Sequence, residues 1–303
     1  MKTLRDIGED ALIDRLVGLV PRDSAPAAQP GDDCAVIDHG GATLLLLKTD
    51  ALVEHVHFLP SAPPRAVGWK AAARVVSDFA AMGGRPGHFL ITVALPPETA
   101  VWWVEDLYRG IGDCLEKFGG YLAGGETSSV PSSSAAVISI AATGTVRRDQ
   151  LVLRSTAQAG DVLLVTGQLG GSILGKHLDF TPRMVETDWL VAHFKPTAMM
   201  DLSDGLAKDL PRLAAASGCG YRIDESSLPL TPGCTPAQAL GDGEDFEILF
   251  AIESAHVPEL LAAWPAAFPG LTCIGGLTDL PTSGSLSGGW DHFSRGWVMS
   301  WRR

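Results

Sequence analysis

Acidic side chains flanked by glycine or apolar residues recur along this chain: Asp32 and Asp33, Asp50, Asp78, Glu126, Asp201 and Asp204, and the run from Glu244 to Glu247. Most have an ordinary structural explanation. Asp204 could cap a helix beginning at Leu206, and Asp32 and Asp33 could form a turn. Asp78 is harder to explain that way, because Val75, Val76, Phe79 and Ala80 surround it in an apolar helical segment, where an unpaired charge is costly. Brought together, these carboxylates would repel one another unless cations neutralised them. Hard oxygen ligands select Mg²⁺ or Ca²⁺, and oxygen-rich Mg²⁺ sites commonly serve phosphate transfer from a nucleotide. The adjacent glycines let backbone N–H groups approach phosphate oxygens. The residue types therefore point to a Mg-nucleotide enzyme.

Other groupings carry less. Residues 170–177, GGSILGKH, nearly match the P-loop pattern and follow a strand, but His177 stands where a Mg²⁺-binding hydroxyl is required. A glycine-rich strand-to-helix turn explains them better. His55 and His57 would share one strand face and, with Asp50, could hold a transition metal. They lack a third histidine in comparable local order, so two polar residues on a half-exposed strand explain them better. No G-x-S-x-G elbow is present, and no cysteine lies in a thiolate-activating pattern.

The elements that must position these residues can be read from periodicity. A helix is expected over 11–20, stopped by Pro21, and strands over 34–37, 43–47 and 52–58, with Gly40 and Gly41 turning between the first two. A long helix over 65–82 follows Pro63 and Pro64 and ends at Gly83-Gly84. A strand over 88–95, a helix over 98–118 and a strand over 135–146 complete the first half. In the second half strands are expected over 161–166, 220–223, 246–252 and 271–274, and helices over 170–178, 206–217 and 257–267. This mixture predicts an α/β or α+β protein of two domains, 1–148 and 149–303, divided at the polar run from Arg147 to Gln150.

Composition narrows the class. The 303 residues are 46% hydrophobic and 19% charged, enough apolar material for a folded core. The net charge of −12 argues against a nucleic-acid partner. The five cysteines form no CxxC pair and their number is odd, as for reduced thiols in a cytoplasmic protein. No apolar run is long enough to span a bilayer as a helix, so no membrane partner is expected.

Seven motifs follow one another in a recognisable order: GDDCAV (31–36), TDALVEHVHF (49–58), GWKAAARVVSDFAAMGG (68–84), GGET (124–127), LRS (153–155), MDLSDGLAKDL (200–210) and GDGEDFEILF (241–250). With the ending GWDHF (289–293), the chain resembles the thiamine-monophosphate kinases, within the superfamily of aminoimidazole ribonucleotide synthetase. The resemblance runs from Gly31 to Phe293. It implies a two-domain fold whose N-terminal domains pair their sheets in a homodimer, and an activity that moves the γ-phosphate of ATP directly to thiamine monophosphate with several Mg²⁺ ions. It implies metal ligands at Asp33, Thr49, Asp50, Asp78, Glu126, Asp201 and Asp204. ATP contacts would fall at Tyr108, Gly125, Arg154 and Ser203, and substrate contacts at His57, Glu244 and Trp290. No general base is implied, because a phosphate acceptor is already largely ionised at neutral pH.

The chain departs from the family pattern at four places. Glu126 stands where Asp is usual, Lys48 replaces a small hydroxyl residue, His55 replaces Gly or Asn, and Asp242 replaces a Gly. These bear on metal number and spacing. A sister ATP-using enzyme with another small substrate and a non-catalytic nucleotide-binding regulator are the two alternatives; the ending around Trp290 argues against the first.

Overall fold

The computed structural model describes residues 2–22, 30–279 and 286–293. The first half runs α1 (Leu4–Ile7), α2 (Glu9–Val17), β1 (Ala35–Ile37), β2 (Thr43–Val53), α3 (Pro64–Ala81), β3 (Arg85–Leu95), α4 (Val101–Phe118), β4 (Tyr121–Ser129) and β5 (Val137–Arg147). Its sheet has the order β1-β2-β5-β3-β4, antiparallel except for β3 and β4, which α4 connects as a parallel pair.

The second half runs β6 (Val162–Thr166), α5 (Lys176–Asp179), α6 (Met184–His193), β7 (Ala198–Asp201), α7 (Leu206–Ala216), β8 (Gly220–Ile223), α8 (Pro236–Gly241), β9 (Ile248–Ile252), α9 (Val257–Ala263) and β10 (Leu271–Thr278). Its sheet, β7-β9-β6-β10-β8, is wholly antiparallel. The fold is thus two mixed α/β halves, each with its own sheet and apolar core.

Helix α3 positions most of the chemistry. Pro64 suits its first turn, where a backbone N–H would lack an intrahelical partner anyway. The helix is buried on nearly every side, touching β2, β3, β5 and α4 of the first half and α5, α6 and β7 of the second. That explains its run of Ala and Val, since a helix enclosed all round needs small apolar residues all round. Its crossing with α4 is very close. A Cβ at Gly68 would lie 1.9 Å from the Leu107 carbonyl oxygen, and one at Gly110 would lie 1.8 Å from that of Arg65. Gly68→Ala should therefore force the helices apart and destabilise the protein by about 1–3 kcal/mol or more. Urea unfolding checks this, and an unchanged midpoint would contradict it.

Several elements depart from the sequence expectation. Strand β2 continues unbroken from Thr43 to Val53, and the expected strand over 52–58 ends there. His55 adopts φ +66° in a turn, so it and His57 do not share a strand face. The expected helix over 170–178 is a 3₁₀ turn at Ser172–Leu174 followed by the short α5, interrupted by Gly175 at φ +144°. Strands β4 and β7 and helices α6 and α8 were not anticipated. No helix among the described residues is long and apolar enough to cross a membrane.

Candidate active site between the two halves

Three buried carboxylates converge where the halves meet: Asp33 from the loop before β1, Asp78 from the last third of α3 and Asp201 at the end of β7. One carboxylate oxygen of each lies within 4.8 Å of the others. The protein supplies partial neutralisation. Lys48 Nζ lies 2.6 Å from Asp78 Oδ1, Arg154 grips Asp33 with Nε at 3.2 Å, and Ser77 Oγ donates to Asp201 at 2.5 Å. This is not enough. Burial, with Asp33 adding, pushes the Asp201 carboxyl up to about 7. Burial also drives Asp78 well above the usual carboxylate range, despite the opposing pull of Lys48. Beside them, burial and Asp33 raise Asp32 to about 6. An all-oxygen donor set with surplus negative charge suits a hard divalent cation such as Mg²⁺.

The other expected acidic residues fall in different places. Asp50 lies two residues after Lys48 on the inner face of β2, the face toward α3, and pairs with Arg74 at 2.9 Å. Asp204 sits in the turn after β7, held by Arg212 at 2.6 Å and Lys208 at 3.4 Å. That turn is shaped by the buried Asp209, whose carboxylate accepts the backbone N–H groups of Ser203 and Asp204. Thr49 is exposed on the outer face of β2. Gly125 and Glu126 are exposed on the edge strand β4, where Glu126 pairs with Thr92 across from the buried Ile91 and Val93. Glu126 therefore faces away from the buried cluster. Tyr108 is half-buried on α4 against the core of the first half. The structure gathers Asp33, Asp78, Asp201 and Arg154 tightly, and leaves Thr49, Tyr108, Gly125 and Glu126 apart from them.

A second gathering adjoins this one. His57, Glu244, Trp290, Arg74, Ser203 and Asp204 line part of a cavity with about 500 Å³ of empty space, some of it open to solvent. Its residues come from both halves. The His57 ring accepts the Val53 N–H at Nδ1, 3.0 Å, so its proton resides on Nε2. Burial and then Arg74 lower this histidine to about 3, keeping it neutral. Trp290 is fixed by its backbone N–H to the Asp204 carbonyl, 2.8 Å, and its indole meets His292 edge-on.

Lys70 and Arg74, given no role from the sequence, also join this site, as does His177, which the sequence presents only as the residue that breaks the P-loop pattern. Lys70, Arg74 and Asp78 recur every four residues, so they share one face of α3. That spacing was the available signal: three ionisable groups aligned on one face of a largely apolar helix. The P-loop-like segment also finds its explanation. The backbone N–H groups of Gly170 and Gly171 donate to Asp245 and Asp242, Ser172 Oγ donates to the Gly243 carbonyl, and Lys176 pairs with Glu247 at 3.0 Å. It is a clamp on the loop that carries Glu244, and its amides serve carboxylates of the same chain.

Comparison with known proteins places this arrangement. The family model described as AIR synthase related protein, N-terminal domain, matches residues 31–146, and the corresponding C-terminal domain model matches 158–267. The thiamine-monophosphate kinase of Synechococcus elongatus is 32% identical over 291 residues, covering 86% of each chain. That of Escherichia coli K12 is 32% identical, covering 82% of this chain and 83% of the relative. A solved structure described as AaThiL complexed with AMPPCP and TMP aligns with a TM-score of 0.84 at 31% identity, covering 97% of this chain and 99% of that one. Hydrogenase maturation protein HypE in complex with ATP shares the fold at 20% identity and a TM-score of 0.67.

Proposed function

Because this chain belongs to the AIR synthase related protein family and, within it, to the thiamine-monophosphate kinases, we propose that it phosphorylates thiamine monophosphate with ATP, in line and with Mg²⁺, giving thiamine diphosphate and ADP. The observation that carries this reading is the meeting of Asp33, Asp78 and Asp201 beside a cavity lined by His57, Glu244 and Trp290.

Asp33, Asp78 and Asp201 would hold Mg²⁺, with Asp50 and Asp204 as further ligands. The bound ions would neutralise charge on the transferring phosphoryl group and hold ATP in place. The chain's own residues do the rest. His57, neutral with its proton on Nε2, offers a hydrogen-bond donor to the acceptor phosphate. Trp290 offers a ring face to the thiazolium cation. Arg154 and Ser203 would face ATP. No side chain need remove a proton, because the acceptor's second pKa lies near 6 and it enters largely ionised. Positioning and charge neutralisation then carry the rate.

Thr49, Tyr108, Gly125 and Glu126 rest on the family resemblance for their proposed roles. Two of them, Gly125 and Glu126, lie on the exposed β4. Leu90 and Leu122 are also exposed on the first sheet, and Leu47, Leu90, Ala123 and Ala141 border an apolar groove over it. An uncovered apolar sheet face of this kind supports a homodimer built through the N-terminal halves. The halves themselves divide at about residue 148, after β5 ends at Arg147 and before β6 begins at Val162. Five free cysteines support a cytoplasmic location.

The test is a chromatographic assay of the purified full chain with ATP, thiamine monophosphate and excess Mg²⁺. Equal amounts of ADP and thiamine diphosphate are expected. No turnover would overturn the reading, and turnover only with another phosphorylated acceptor would assign the site to a sister activity.

A further inference from the structure

Lys70 is the most completely buried cation at this site, with none of its side chain exposed. An ammonium has three N–H donors, and here three acceptors meet it. They are the Glu244 carboxylate at 2.7 Å, the His57 backbone carbonyl at 2.6 Å and His177 Nδ1 at 2.9 Å. The acceptors come from three separate segments: the turn after β2, the short helix α5, and the loop before β9. Lys70 itself belongs to α3, so one side chain ties together both halves of the molecule.

Two of the tied residues, His57 and Glu244, line the cavity. Glu244 is held in the left-handed region, φ +52°, with its backbone N–H bonded to the Ser203 carbonyl at 2.7 Å. A backbone conformation of this kind needs surrounding contacts to hold it. On the side-chain end Lys70 supplies them, donating to Glu244 at 2.7 Å. Burial pulls the Lys70 ammonium down to about 8 while Glu244 pulls it upward, so it stays mostly charged at neutral pH. A charged donor requires the His177 lone pair at Nδ1, which fixes the tautomer of that ring with its proton on Nε2. Against the upward push of burial, Lys70 and then Arg74 hold the Glu244 carboxyl well below its usual range.

We propose that Lys70 is a positioning residue for the acceptor pocket: its ammonium holds the Glu244 carboxylate from the second half in register with His57 from the first, so that the pocket is preformed for a phosphorylated cationic acceptor. This rests on the kinase reading above. Lys70 acts through Glu244 and His57, and its effect should fall on the acceptor: Arg154 and the buried carboxylate cluster do not touch it, and Ser203 meets Glu244 through backbone atoms, not through the carboxylate that Lys70 holds.

Four variants of the full chain test it: Lys70→Met, Lys70→Gln, Glu244→Gln and the double variant Lys70→Met with Glu244→Gln. Steady-state kinetics is measured separately for ATP and thiamine monophosphate, with thermal unfolding as a folding control. Lys70→Met should raise KM for thiamine monophosphate by about tenfold or more, because it removes three hydrogen bonds from a charged donor, and leave KM for ATP within about twofold. Lys70→Gln, which keeps amide donors without the charge, should raise the acceptor KM less. In the Glu244→Gln background, adding Lys70→Met should change the acceptor KM by less than about threefold, since coupled residues are not additive. An unchanged acceptor KM, equal rises for both substrates, or full additivity would overturn the proposal. If Lys70→Met does not fold, the Lys70→Gln comparison decides by the same criteria. An inactive wild-type chain would instead count against the kinase reading, whereas an active wild type with normal variants would count against Lys70 alone.

Discussion

Asp78→Asn should lower thiamine diphosphate formation on the order of 10²–10³-fold at saturating ATP and Mg²⁺, the range expected when one charge-stabilising contact to a reacting centre is removed. The substitution keeps size and shape but deletes a charge from the centre of the buried cluster. The same variant should be at least as resistant to heat as the wild type when EDTA is present at pH 8. An acid whose pKa is raised in the folded state binds its proton more tightly folded than unfolded, so above its unfolded pKa it destabilises the metal-free fold. Asp78 is raised in this way, and Asn removes the burden. Lys48 is not stranded by the change, because Asp50 and Asp33 also act on it. Near-normal turnover would remove Asp78 from the metal site. A large drop in the EDTA melting temperature would show that the cluster lacks surplus negative charge.

Lys48→Ala should have the opposite consequence for the fold. It removes the cation 2.6 Å from Asp78 and leaves Asp33, Asp78 and Asp201 within 4.8 Å of one another, with Arg154 paired to Asp33 and Arg74 acting on Asp78 from farther away. Breaking a buried pair by removing one partner costs about 3 kcal/mol at the lower end of the usual range. The lower end applies because 22% of the Lys48 side chain is exposed. Urea unfolding at neutral pH in EDTA measures the loss. Adding Mg²⁺ should recover part of it, since a divalent cation can supply the missing positive charge among the carboxylates. If Lys48→Ala unfolds at the same urea concentration as the wild type, the ammonium is not neutralising this cluster. The two substitutions together form a sign test: in a cluster with surplus acid, deleting a carboxylate is tolerated by the fold and deleting a lysine is not.

Much of the architecture was legible. The Gly40-Gly41 hairpin, the proline-started α3 ended by Gly83, and the buried strand β6 all follow from local chemistry, because turn residues and apolar runs impose their conformation within a few positions. β4 was not legible. Its residues, YLAGGETSS, include two glycines and few strand formers, and all nine are exposed. It is a strand because β3 offers an edge to pair with, a fact held by residues some thirty positions away. The short β7 was hidden for the same reason, taking its place beside β9 from across the domain.

The site divides along a similar line. Asp78 announced itself because a carboxylate in an apolar helix violates the ordinary cost of burial, and the order of motifs carried the family. Residue types alone established that acidic groups dominate and that a divalent cation would suit them. Which acids meet was decided by the tertiary structure. Asp33, Asp78 and Asp201 come from a loop, a helix and a strand in two halves, and only the packing of α3 between the two sheets brings them within reach. The same packing turned Lys48 inward as their neighbour and buried Lys70 beneath the cavity. Charge is a property of a residue, and is visible wherever that residue stands in the chain. Neutralisation is a property of distance, which the chain acquires only when it folds.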